Sequence, residues 1–317
     1  MTFDYSKDLY PVITPHASGT LDVGDGHHIY WEECGNPNGT PILFLHGGPG
    51  AGCASIHRRF FDPDHYKIIL LDQRGCGRST PTASVEANTT DHLIQDLEQL
   101  RVLRGIDKWI VFGGSWGSTL ALAYGIAHPN RCLGFILRGV FTGREQERDW
   151  FMNRMGTFHP EARRTFINFL PKEERESPLE NYLQRLNHPD PQVHMPAALA
   201  WSTYEESCAT LHPAKSTPTE SIGKLCLARL EAHYFNHNFF MAEGHLLKNL
   251  TKIFHLPCTI VQGRYDVVCP PITAEEIAQN WPKAQYIVIP DAGHSALEPG
   301  VRIGLIHATD SFKALRF

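Results

Sequence analysis

Short apolar runs alternate along the chain with glycine-rich stops and with segments of helical spacing. Residues 41–45 form one such run and end at His46-Gly47-Gly48-Pro49-Gly50. Residues 66–71 form a second, ending at Asp72-Gln73-Arg74-Gly75, and residues 109–112 a third, ending at Gly113-Gly114-Ser115-Trp116-Gly117. Each has the length of a buried strand that feeds a loop. Between the second and third, Leu93, Leu97, Leu100 and Leu103 recur on one helical face with Ile94, so residues 91–104 are expected to be a helix with one side on a sheet. Residues 119–127 read as a further helix, stopped by His128-Pro129-Asn130. Upstream, residues 18–32 have the pattern of a hairpin around Gly24-Asp25-Gly26.

After about Phe141 the texture changes. Residues 144–250 are rich in Arg, Glu, His and aromatics at helical spacing, and strand-like runs return only at 258–261 and 286–289. The stretch from Val301 to Phe317 reads as a closing helix. Alternating strands and helices predict a mostly parallel sheet with helices on its faces. The expected fold is therefore α/β, with a core at 1–141 and 252–317 and a helical cap inserted at 142–251.

Composition narrows this picture. The 317 residues are 42% hydrophobic and 20% charged with a net charge of −5, ordinary for a soluble protein. No Lys/Arg run exceeds two residues, so the electrostatic footprint of nucleic-acid binding is absent. No 18-residue apolar stretch occurs, and residues 1–13 lack the pattern of a signal peptide. Eight scattered cysteines without a CxxC pair read as free thiols in a reducing cytoplasm.

The Gly113-x-Ser115-x-Gly117 pattern gains meaning from its place between an expected strand and an expected helix. There a serine sits on a tight turn with its hydroxyl exposed above the sheet. By itself the pattern describes equally well a glycine-rich turn with a capping serine. Serine needs a base. Asp266 and His294 both follow late strand-like runs, and the chain order Ser115, Asp266, His294 is that of α/β-hydrolases. In that arrangement Asp266 orients the imidazole and His294 is general base, then general acid. The backbone N–H of Trp116 and one from Gly47, with Gly48 as the alternative, are the expected oxyanion donors.

At these residues the sequence resembles the proline iminopeptidase family of α/β-hydrolases. The resemblance rests on HGGPGAGC at 46–53, FFDPDHY at 60–66, LDQRGCGRSTP at 71–81 and GGSWGSTLALAYG at 113–125. It continues through LRGVF at 137–141, GRYDVVCP at 263–270 and AGHS at 292–295, with shorter matches at 201–205 and 228–235. It implies release of an N-terminal proline from peptides, through an acyl-enzyme, without metal or other cofactor. It also implies that Glu205 and Glu231 in the cap bind the substrate amine. Phe141, Phe151, Val268 and Cys269 would line the proline pocket.

Within the same fold, an esterase or broad amidase would share the triad without the amine carboxylates. A non-catalytic hydrolase-fold binding protein would be marked by a missing triad member, and none is missing. His233 and His237 stand at a metal-ligand spacing, but no Glu follows His233 and no third ligand is evident, so both read as structural. The expected partners are peptides with a free N-terminal proline, with neither nucleic acid nor membrane.

Overall fold

The computed structural model describes residues 8–212 and 219–315. Among these, eight strands form one sheet: β1 (Ala17–Gly24), β2 (His27–Gly35), β3 (Thr40–Leu45), β4 (Tyr66–Leu71), β5 (Trp109–Gly114), β6 (Cys132–Arg138), β7 (Cys258–Gly263) and β8 (Ala284–Ile289). Their spatial order is β1-β2-β4-β3-β5-β6-β7-β8. The first three strands in that order pair antiparallel and the rest parallel.

Side-chain alternation along the strands makes two cores. Leu43, Leu45, Ile69, Leu71, Val111 and Leu137 belong to one face. Ile42, Phe44, Ile68, Leu70, Phe112 and Ile136 belong to the other. A strand apolar at every position is what burial on both faces demands. Helices α1 (Thr90–Leu103) and α2 (Trp116–Ala127) cover the first face, and α10 (Pro299–Phe312) covers the second. Between β6 and β7 lie α3 (Glu145–Asp149), α4 (Pro160–Asn168), α5 (Pro178–Leu186), α6 (Pro191–Cys208), α7 (Ile222–Asn236) and α8 (His245–Asn249), with no strand among the described residues. Helix α9 (Pro271–Asn280) connects β7 to β8. The molecule is an α/β fold with a helical cap inserted after its sixth strand.

The sequence pattern anticipates the hairpin, β3, β4, α1, β5, β7, β8 and α10. It misses β6 and α9, and starts α2 three residues late. Strand β6 carries Gly134 inside its apolar run, where a Cβ would lie 2.7 Å from the Phe312 ring and 2.8 Å from Pro257 O. The glycine weakens the strand signal but is what lets α10 approach. The start of α2 moves forward because the turn before it is completed within Ser115 alone.

Strand β3 leads toward β4 on one side, and β5 leads toward β6 on the other. The loops after β3 and β5 therefore diverge at a topological switch point, where open α/β sheets form a crevice.

Candidate active site

Ser115 occupies the turn from β5 to α2 with φ 57° and ψ −130°, a conformation strained for any residue with a side chain. The flanking glycines make it possible. A Cβ at Gly113 would lie 2.1 Å from Gly117 O, and one at Gly117 would lie 2.2 Å from Leu45 O. Ser115 N–H donates to Arg138 O at 2.8 Å, and its carbonyl accepts from Ser118 Oγ at 2.6 Å.

The loop after β3 lies against this turn. A Cβ on Gly47 would stand 3.2 Å from Ser115 Cβ, so the Gly47 backbone passes directly beside Ser115. Buried His46 braces the loop. Its Nε2 accepts from Gln73 N–H at 3.0 Å, which leaves Nδ1–H to donate to Gly47 O at 2.9 Å. Gln73 in turn donates to His46 O and accepts from Trp116 Nε1–H at 2.8 Å. The three glycine-bearing loops are thus one hydrogen-bonded unit. Trp116 opens α2, where the first amides have no intrahelical acceptor.

Asp266 and His294 meet over Gly139. Asp266 Oδ1 accepts from Val268 and Cys269 N–H at 3.1 and 2.8 Å. Its Oδ2 accepts from Gln262 Nε2 at 3.0 Å and pairs with His294 Nδ1 at 2.8 Å. Gly139, at φ +52°, leaves room for this pair: a Cβ there would be 2.8 Å from His294 Cε1. The histidine loop is held by the cap, since both His294 and Ser295 N–H donate to Ala209 O, at 3.0 and 2.8 Å.

The other ring nitrogen, His294 Nε2, is met by Arg138 Nη1 at 2.9 Å, and the same Nη1 donates to His294 O at 3.0 Å. Among the described residues, no hydrogen bond joins Ser115 Oγ to His294. Arg138 ends β6, and its guanidinium passes so close to Gly114 that a Cβ there would lie 2.6 Å from Nη2. Its Nε is buried without a partner. Burial lowers the guanidinium pKa, and the charges of Asp266, Cys269 and Glu205 oppose that shift.

A small pocket opens on the cap side of Ser115. It is lined by Phe141, Phe151, Glu205, Glu231, Val268 and Cys269, with Gly48 and Phe235. Trp201 Nε1–H donates to Glu231 Oε2 at 2.7 Å. Burial pushes the carboxyls of Glu205 and Glu231 up together, and the neighbouring Glu205 carboxylate adds to the rise at Glu231. Burial also pushes the Cys269 thiol, which faces Ser115, well above the usual range.

Of the eleven residues singled out from the sequence, seven line the small pocket, Gly47 and His294 line the larger cavity that also reaches Ser115, and Trp116 and Asp266 are buried behind these walls. Sequence reasoning missed Arg138, Gly139, Gln262 and Phe235. A charged residue closing the apolar run of β6 was the one available signal for Arg138. Glu206 is on the rim, paired with Lys224 at 2.8 Å. His233 faces Asn88 O at 3.3 Å and His237 faces His233 O at 2.8 Å. Among the described residues, no group of three or more His, Cys, Asp or Glu could hold a metal ion.

The family model described as alpha/beta hydrolase fold matches residues 40–301. With its sheet, its strained serine turn and its inserted cap, the protein is an α/β-hydrolase. Solved structures agree at the level of fold. A proline iminopeptidase-related protein from Thermus thermophilus superimposes with a TM-score of 0.59 at 22% identity, covering 94% of this chain and 98% of that one. A deep-sea metagenomic α/β hydrolase superimposes with a TM-score of 0.61 at 17% identity, covering 94% and 99%.

Sequence relatives are nearer. A proline iminopeptidase of Arabidopsis thaliana is 47% identical, over 99% of this chain and 84% of that protein. One from Neisseria gonorrhoeae is 43% identical, over 95% and 98%. The chain belongs to the proline iminopeptidase family.

Proposed function

We propose that the protein is a serine exopeptidase that releases N-terminal proline from peptides. The observation that carries this reading is the small pocket itself. Ser115, an apolar wall and two paired carboxylates face one another across it. The carboxylates suit a cationic secondary amine, and the wall of Phe141, Phe151, Val268 and Cys269 suits its ring. Binding the charged amine at Glu205 and Glu231 positions the prolyl carbonyl over Ser115 and disfavours blocked N-termini, which lack the charge.

In this reading Ser115 Oγ attacks the carbonyl carbon while His294 Nε2 takes its proton. Asp266 holds Nδ1–H and stabilises the imidazolium. The N–H groups of Gly47 and Trp116 receive the oxyanion. Collapse expels the amine, which takes the proton from His294, and water then cleaves the prolyl ester by the same route. The pair Glu205/Glu231 sits on the insertion at 142–251, which we assign as the cap domain of a core at 1–141 and 252–317. Eight free thiols accord with a reducing, cytoplasmic setting.

The test is a panel of amino-acid naphthylamides, free and N-acylated. Proline-naphthylamide is expected to be cleaved and its N-acetyl form spared. Ser115→Ala should abolish turnover in a protein that still melts cooperatively. Equal cleavage of free and blocked substrates would remove the exopeptidase reading, and substantial Ser115→Ala activity would mean another nucleophile.

A further inference from the structure

Two cavities meet at Ser115. The small one takes the proline. The larger, about 280 Å³, runs down the opposite side of the serine turn and is bounded by Gly47, His57, Arg138, Glu205 and His294. His294 lines the larger cavity and not the smaller. The leaving nitrogen must take its proton from His294, so the residue that follows proline lies in the larger cavity.

The walls of that cavity are largely apolar. Phe44, Phe60 and Phe112 form its floor, and His57 stacks on Phe44 with ring centroids 4.6 Å apart. Burial drops the His57 pKa to about 4, so this ring is a neutral wall at ordinary pH. Among the described residues, Arg138 is the one Lys or Arg that lines the space, and no carboxylate comes within ion-pair distance of it. A shielded guanidinium with no carboxylate in direct contact is costly to keep. Instead of a carboxylate, it has the lone pair of His294 Nε2, 2.9 Å away.

Covalent geometry fixes what a short substrate brings here. In a dipeptide, the carboxylate oxygens lie roughly 3–4 Å from the scissile nitrogen. His294 Nε2 must come within about 3 Å of that same nitrogen to protonate it. A carboxylate on the residue after proline therefore falls within reach of the Arg138 guanidinium, which offers it forked N–H donors.

We propose that Arg138 binds the C-terminal carboxylate of prolyl dipeptides, so that the crevice is complementary to a zwitterion. Glu205 and Glu231 take the ammonium end and Arg138 takes the carboxylate end, with Ser115 between them. Engagement of the carboxylate draws Nη1 off His294 Nε2 and returns that lone pair to Ser115. The inference rests on the prolyl exopeptidase reading of the same site.

The experiment compares kcat/KM for Pro-Gly, Pro-Gly amide and proline-naphthylamide. In the wild type, Pro-Gly is expected to exceed its amide by tenfold or more, and Arg138→Met should bring that ratio to about one, whatever happens to the absolute rates. Arg138→Lys, which keeps the charge but not the fork, should give an intermediate ratio, and it serves if the methionine variant does not fold. A wild-type ratio near one overturns the proposal without any variant. So does a preference for Pro-Gly that persists in Arg138→Met or is undiminished in Arg138→Lys. Failure of the exopeptidase reading would show separately, as no cleavage of proline-naphthylamide.

Discussion

Gly139 is where the site has least room. Its positive φ disfavours a side chain, and a β-carbon would press the imidazole of His294 from below. Gly139→Ala should therefore lower kcat by about 100-fold, since a misplacement of about 1 Å costs that much, while the protein still folds. Steady-state kinetics beside a thermal melt check this, and an unchanged kcat would show that the loop relaxes freely.

Glu231 leads to a different expectation. Its carboxyl is held well above the ordinary value of 4.5 by burial, so the folded state holds a proton that the unfolded chain has released at higher pH. Stability is then lost as pH rises through the folded-state titration. Glu231→Gln removes that loss. Its Tm should exceed the wild type by about 2–4 °C at pH 8, for roughly 1 kcal/mol, and by less at pH 5. A difference independent of pH would mean that the carboxyl is not protonated in the fold.

The elements around the crevice are fastened to it by buried polar pairs. Arg74, in the loop after β4, donates from Nε and Nη2 to Asp96 on α1, both at 2.8 Å. Helix α1 is capped by Thr89, whose side chain accepts from His92 N–H at 3.3 Å. Thr89→Ala should cost about 1 kcal/mol as a lost N-cap, read as a fall in Tm without change in KM for proline-naphthylamide. A rise in KM would instead place the start of α1 in the binding site.

At this level the sequence is most readable where one strand feeds one loop, which is why Ser115, Asp266 and His294 can be placed from pattern alone. Arg138 and Phe235 are harder, because a lone arginine or phenylalanine has no period. Each gains its role only when β6 or α7 packs against a segment distant in the chain. The helical spacing of residues 144–250 likewise identifies helices without saying which of their faces meet.

For the whole molecule, the sheet supplies Ser115, Asp266, His294 and Arg138, while the cap supplies Glu205 and Glu231. The site exists only where the two parts meet. Because burial raises both carboxyls of the glutamate pair, capture of a cationic amine, which favours their ionised forms, should expel protons from them. KM for proline-naphthylamide is then expected to climb as pH falls from 8 to 6, and titration with the substrate mimic prolinamide on Ser115→Ala should release a proton. Calorimetry in two buffers of different ionisation enthalpy measures this, and identical heats in both would contradict it.

The carbonyl of Ala209 has a bearing on motion as well. It sits at the very end of α6, four residues beyond Glu205, and it holds the backbone of both His294 and Ser295. An outward swing of α6 would tear away these two amides or drag the imidazole with it. The latch ties the proposed base to the cap: were α6 displaced, His294 would lose its support or travel with the helix, so cleavage is expected only while α6 is seated.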